Sequence, residues 1–228
     1  MTKPLRRILA RNRRNLFAKW LARRAQSIVR GYQNFDYDMT SNGEEFLLRQ
    51  VAKSSPNVPI IFDVGANEGQ WSLCALGVCP EATIHAFEIN PVVAKTLEGG
   101  FLRVHNVRTH AFGLSDVSGT VPVRITPDND TRSTLITGAE VDSTESRISD
   151  LPVVRGDSYL STNSIDHIDL LKIDTEGAEH LVLSGFQLAL KNQQIECIQF
   201  EYGRANAVAR FLLSDFYSEV VPEIRTGC

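Results

Sequence analysis

Short apolar runs alternate with segments of helical spacing from Ile60 onward, and almost every run closes on an acid. Ile60–Val64 holds Asp63 and Thr83–Ile89 holds Glu88. Val107–Leu114 leads into Ser115 and Asp116, Ile168–Ile173 into Asp174, and Glu196–Phe200 into Glu201. Runs that are apolar throughout predict strands buried on both faces, and their alternation with helices predicts right-handed crossovers. The expected fold class is therefore α/β, a doubly wound, mostly parallel sheet. Helices are expected over 42–53, opened by a capping box at Ser41–Glu44, and over 70–76, 92–98, 178–184 and 206–213. Ser118-Gly119 predicts a hairpin turn leading to a strand at Val121–Ile125. "LPVVRGDSYL" predicts a short strand and turn. Residues 127–150, rich in Asp, Thr and Ser, predict a mobile loop, with Arg132, Ser133 and Thr134 as candidate acceptor contacts.

Ligands of such a sheet bind at the carboxyl ends of its strands. There "IFDVGANEGQWS" (residues 61–72) places Gly65 and Gly69 in a strand-to-helix turn. Asn67 occupies the middle glycine position and Gln70 follows the last, so the G-x-G-x-x-G pattern that grips a pyrophosphate is not met. The five strand-end acids Asp63, Glu88, Asp116, Asp174 and Glu201 need a cationic or hydroxyl-rich ligand to offset them. S-adenosylmethionine, with its sulfonium, ammonium and ribose diol and no phosphate, fits that need. Lys172 shares a strand face with Asp174, and a buried lysine requires a carboxylate partner, so orienting an acid is its expected role. Glu176 and Glu179 are expected as first-turn helix acids, and His180 as a structural residue.

The charge distribution is lopsided. Residues 1–30 hold ten of the 24 Lys and Arg and none of the 27 Asp and Glu, which leaves the remainder strongly acidic. The arm reads as a basic amphipathic helix (Leu5, Ile8, Leu9, Leu16, Trp20, Ile28) on a domain starting near residue 37, so the division expected is 1–36 and 37–228. Packing on the domain or on a second subunit, and lying on an anionic membrane surface, are both open to it. The four cysteines match no zinc pattern; Cys74 and Cys197 are expected as small core residues of a cytoplasmic protein. No apolar run reaches the ~18 residues of a membrane span, and no signal peptide is evident.

"DVGANEG", "FEINP", "GLSD", "LLKIDTEGAE" and "FEYG", in that order and spacing, resemble the FkbM-type family of S-adenosylmethionine-dependent methyltransferases over residues 37–217. The resemblance implies a class I methyltransferase sheet and O-methylation of a sugar, glycan or secondary metabolite. It places Gly65, Ala66, Asn67 and Gly69 in the cofactor loop, Asp63 at its base, Glu88 on the ribose hydroxyls, and Ser115 and Asp116 by the adenine. Asp174 resembles the acid facing the transferred methyl. The expected reaction is an in-line displacement by a substrate hydroxyl, with Asp174 or Glu201 taking the proton. Metal independence is expected; Mg²⁺ held by Asp174, Glu201 and Glu176 or Glu179 is the alternative. "DTEG" replaces the tetrad of amino-methylating nucleic-acid enzymes, and Cys79-Pro80 reverses the cytosine-C5 pair, so a nucleic-acid acceptor is not favoured. The family normally continues through a C-terminal hairpin, for which Val220-Val221 followed by Pro222 leaves no room. A shortened enzyme, a homodimer pairing its sheet edges and a non-catalytic cofactor-binding remnant all fit that ending.

Overall fold

The computed structural model describes residues 24, 25, 28, 29, 39–125, 133–135 and 147–219. The expected N-terminal amphipathic helix therefore lies outside the described residues apart from four helical positions, and most of the predicted 127–150 loop does as well. Two compact units divide the chain at Leu47/Leu48. The first holds the one-turn helix α1 (Met39–Asn42) and the start of α2 (Glu44–Ser54). Asn42 ties down the start of α2: the Asn42 Oδ1 accepts from the Glu44 amide at 3.0 Å, and its Nδ2 donates to the Glu44 carboxylate at 3.1 Å.

The second unit is built on a five-stranded sheet. Its strands are β1 (Ile60–Val64), β2 (Thr83–Phe87), β3 (Val107–His110), β8 (Leu170–Ile173) and β9 (Ile198–Phe200), in the order β3-β2-β1-β8-β9. Every neighbouring pair is parallel, as the uninterrupted apolar runs predict. The period of two splits each strand between two faces. Phe62, Val64, Phe87, Leu171 and Ile173 share one core with Tyr159 and Leu160 of α5 (Gly156–Asn163), Val182 and Leu183 of α6 (Glu179–Gly185), and Phe186. Burying each such aliphatic or phenyl side chain contributes roughly 1.5–3 kcal/mol. The opposite face carries Asp63, and Ser72 of α3 (Gln70–Val78) donates to it at 2.7 Å. Next along the chain, α4 (Pro91–Phe101) starts at Asn90, whose side chain accepts from the Val92 amide, with Pro91 at the first helical position.

A second sheet was not expected. The predicted single strand 107–114 breaks after His110: β4 (Gly113–Ser115) leaves the first sheet and joins β5 (Gly119–Ile125), β6 (Ser133–Leu135) and β7 (Arg147–Arg155) in the order β4-β7-β5-β6. The predicted hairpin at Ser118-Gly119 is also corrected, because β7 lies between β4 and β5, parallel to the first and antiparallel to the second. Residues 156–163, expected as a turn, form α5, and the expected helix 206–213 is two short helices, α8 (Arg204–Val208) and α9 (Leu213–Glu219). Between α6 and β9 lies α7 (Gln187–Lys191). Cys74 is exposed on the outer side of α3, whereas Cys79 is buried and its thiol donates to the Leu48 carbonyl. Ser72 and Ala75 take the inward positions of that helix, which turns Cys74 to solvent. No helix among the described residues is long and apolar enough to cross a membrane.

Tyr159 joins two buried imidazoles. Its hydroxyl lies 2.6 Å from His85 Nδ1 and 2.9 Å from His110 Nε2, and it can donate to only one of them. Burial pushes both histidines down to about 4, with further lowering of His85 by His110 and of both by Arg108. The unfolded chain, with histidine near 6.5, binds more protons across that window, so stability is full above about pH 6.5 and falls as pH drops toward 4. At pH 5 the loss is about 2 kcal/mol for the fully buried His85 and less for half-buried His110. Measured in Glu201→Gln, which removes the opposing titration of that carboxyl, the urea midpoint is therefore expected to fall between pH 7 and pH 5. An unchanged midpoint would show that these imidazoles carry protons in the folded chain.

Candidate active site

The loop after β1 turns on left-handed residues, with φ of +79° at Gly65, +51° at Asn67 and +88° at Gly69. The amides of Gly65 and Ala66 both donate to the Phe87 carbonyl at 2.9 Å, which pins the loop over the end of β2. The two glycines are required by the protein's own packing. A Cβ on Gly65 would sit 1.9 Å from the Asp174 carbonyl oxygen, and one on Gly69 2.4 Å from the Phe101 ring. Glycine at 69 thus lets the start of α3 lie against α4, a reason the sequence did not display.

Glu88 follows β2 and is 6% exposed. Its Oε2 accepts from the Asn67 amide at 2.9 Å and its Oε1 from the Asn90 amide at 2.7 Å. Burial raises its pKa; those two amides and Lys172 oppose the shift, and Asp63 adds to it. Asp63 is fully buried inside β1. Its Oδ1 pairs with Lys172 Nζ at 2.9 Å and its Oδ2 accepts from Ser72. Lys172 also stands 3.8 Å from Asp174 and 3.5 Å from the Gly65 carbonyl, so it lies between the acid of β1 and the acid after β8.

The loop after β8 runs through Asp174, Thr175, Glu176 and Gly177, with φ of +52° at Glu176 and +109° at Gly177. Glu201 follows β9 and hydrogen-bonds to the Asp174 side chain. Its pKa is pushed up to about 7, first by loss of solvation, then by the charge of Asp174 and the bond to it, then by Glu176 and Glu179. The residue as a whole is exposed, while its carboxyl group is half-enclosed beside Asp174. Two carboxyls in contact do not both ionise readily, and Glu201 holds its proton up to near neutrality.

These strand ends open onto a cavity of about 740 Å³, including its mouth. Gly65, Asn67, Glu88 and Asp174 line it, with Thr175 and Glu176 beside them; Phe87, Leu114, Val123 and Val153 give it an apolar wall. Val123 and Val153 belong to the unexpected second sheet, and only the alternating apolar residues of "TVPVRI" and "LPVV" hinted at them. Ser115 and Asp116 are not brought into the lining: β4 carries them into the second sheet, where the Ser115 hydroxyl donates to Asp116 at 3.0 Å. Asp63, Lys172, Ala66, Gly69 and Glu201 stand behind or beside the lining rather than in it.

Glu179 differs most from expectation. It opens α6 but is 2% exposed, and both carboxylate oxygens accept hydrogen bonds from the protein. Its donors are the Thr175 amide (2.8 Å) and hydroxyl (3.1 Å), the Gly177 amide and the Asn206 side chain. Glu176 is left-handed loop backbone, not helix. His180 stacks on Phe211 with centroids 4.9 Å apart, in keeping with a structural role. No cluster of three His, Cys, Asp or Glu placed to hold a metal ion occurs among the described residues.

A parallel α/β sheet with a glycine turn after β1 and an acid after β2 defines the class of Rossmann-like proteins that hold a nucleoside cofactor at their strand ends. Within that class the chain belongs to the methyltransferase FkbM domain family, whose model matches residues 63–221. It is 31% identical over 159 residues to the 31-O-demethyl-FK506 methyltransferase FkbM of Streptomyces tacrolimicus, covering 56% of this chain and 59% of that protein. It is 30% identical over 158 residues to the methyltransferase sdnD of Sordaria araneosa, covering 57% and 61%. Identity to the hexuronic acid methyltransferase AglP of Haloferax volcanii is 25% over 163 residues, covering 71% and 64%. The chain thus spans about six-tenths of the length of these relatives.

Proposed function

We propose that this chain transfers a methyl group from S-adenosylmethionine to a hydroxyl of a sugar, glycan or secondary metabolite. The observation that carries the proposal is the charge of the cavity. Its only ionisable lining groups among the described residues are carboxyls: Glu88, Asp174 and Glu176. A pyrophosphate would meet three acids and no cation there, whereas a ligand with a sulfonium and an ammonium is attracted. The relative named 31-O-demethyl-FK506 methyltransferase carries an oxygen position in its name, and the one named hexuronic acid methyltransferase a sugar acid, which supports an oxygen acceptor.

In this assignment Glu88 would hold the ribose hydroxyls with the lone pairs its two amide partners leave free, and the Gly65–Asn67 backbone would hold the methionine end. The cofactor supplies an electrophilic methyl group. Asp174 and Glu201 receive the acceptor's hydroxyl proton as its oxygen becomes the nucleophile. A carboxyl that titrates near neutrality, as Glu201 does, suits that task, because a base works best when its pKa lies close to the working pH. Lys172 fixes the orientation of Asp174 and offsets part of the negative charge.

Calorimetric titration tests the cofactor assignment. The native chain is expected to bind S-adenosylmethionine, and Glu88→Gln to bind it about 10–100-fold more weakly, the equivalent of one charged hydrogen bond lost. No binding by the native chain would overturn both the cofactor and the reaction.

A further inference from the structure

We propose that Glu179 and Asn206 are positioning residues, a latch that holds Asp174 and Glu201 in contact. The proposal rests on the assignment of that carboxyl pair as the proton acceptor. Asp174 belongs to the loop after β8 and Glu201 to the loop after β9; the Glu201 amide still donates to the Ile173 carbonyl at 3.1 Å, and past that bond no strand pairing fixes the two loops together. The connection is made by side chains. Within the first loop, the left-handed backbone at Glu176 and Gly177 helps turn amides toward one point, as in an anion-binding nest. The anion received there is the chain's own Glu179 carboxylate, which accepts from Thr175 and Gly177. The same carboxylate accepts from Asn206 Nδ2, and Asn206 Oδ1 accepts from the Gly203 amide at 2.7 Å. Asn206 is 3% exposed, and Gly177 lies so close to α8 that a Cβ on it would be 3.1 Å from the Ala205 carbonyl oxygen.

One buried carboxylate and one buried amide therefore bridge the two loops that present the reacting acids. Buried hydrogen bonds of this kind are costly to leave half-made, so the bridge has one stable arrangement. The groups that face Glu201 are Asp174, Glu176 and Glu179, with Lys172 behind Asp174. If the loops part, Asp174 withdraws and solvent returns to Glu201. Both changes let Glu201 ionise at lower pH.

The decisive measurement is the titration of the Glu201 carboxyl carbon by ¹³C NMR in the full chain, with the signal assigned by its loss in Glu201→Gln. It needs no turnover. The native group is expected to titrate near 7. Asn206→Ala is expected to lower that midpoint by about one unit or more, and to reduce kcat about tenfold or more while donor affinity stays native. Asn206→Asp alone sets two buried carboxylates against each other and is expected to reduce kcat likewise, while its added charge keeps the Glu201 midpoint away from the native value. Combining it with Glu179→Gln reverses donor and acceptor across the latch and is expected to restore the native midpoint. A native titration in Asn206→Ala, or a double variant that folds but does not recover, would overturn the latch. So would a native Glu201 that titrates like an ordinary carboxylate. Should Asn206→Ala not fold, recovery or its absence in the double variant decides the matter. A midpoint that moves as expected in a chain without methyl transfer supports the latch and removes the functional assignment instead.

Discussion

Asp174→Ala is expected to lose about 10²–10⁴-fold in kcat while binding S-adenosylmethionine with nearly native affinity. The split follows from where the side chain stands. Asp174 lines the cavity and touches Glu201, but its role in folding is carried by its backbone amide, which donates to the Val64 carbonyl at 2.9 Å and survives the substitution. The side chain is more than a third exposed, so its removal leaves no buried void. Glu201, relieved of its neighbour, would then ionise at lower pH, and residual turnover would persist into more acidic solution than native turnover does. Rate–pH profiles beside calorimetry check both halves. A variant that methylates at close to the native rate would remove Asp174 from the reaction.

Gly65→Ala is expected to be the most damaging single-methyl change in the second unit. The new Cβ would fall 1.9 Å from the Asp174 carbonyl oxygen, and φ of +79° is itself strained for alanine. Neither backbone can move aside cheaply, because β1 and β8 pair directly below the clash, at Val64 and Ile173. A cost of about 3 kcal/mol or more is expected, a large share of the roughly 5–15 kcal/mol that holds a domain folded. The urea midpoint of purified protein measures it. Gly69→Ala should cost less, since its new methyl meets the Phe101 and Leu97 side chains, which can turn. Equal losses at the two positions would show that the Gly65 contact is softer than its geometry implies.

What the sequence disclosed follows the physics of each element. β1, β2 and β8 are buried on both faces, so their apolar runs and terminal acids were legible, and with them Gly65, Glu88 and Asp174. The second sheet was hidden because its strands are partly exposed and chemically mixed. β7 reads Arg-Ile-Ser-Asp-Leu-Pro-Val-Val-Arg, and its partners β4 and β5 lie far away in the chain. Ser115 and Asp116 followed the strand-end rule faithfully, but their strand belongs to the other sheet. Glu179 looked like an ordinary helix-opening acid, since its decisive donor, Asn206, comes 27 positions later. A local pattern cannot show which distant amide will satisfy a carboxylate.

The Asp63–Lys172 pair also bears on how the chain avoids folding incorrectly. The two residues are direct partners across β1 and β8, both facing away from the Phe62–Phe186 core. Sliding β8 by one position along β1 would rotate Lys172 onto that aromatic side and strand Asp63 without a cation. Leaving one member of a buried ion pair alone costs about 3–5 kcal/mol, more than an apolar residue loses by shifting to another apolar neighbour. Parallel strands rich in Ile, Leu and Val offer many nearly equivalent alignments, and this single charged rung makes all but one of them expensive. The same contact that orients an acid beside the cavity thereby acts as a proofreading device for the assembly of the sheet.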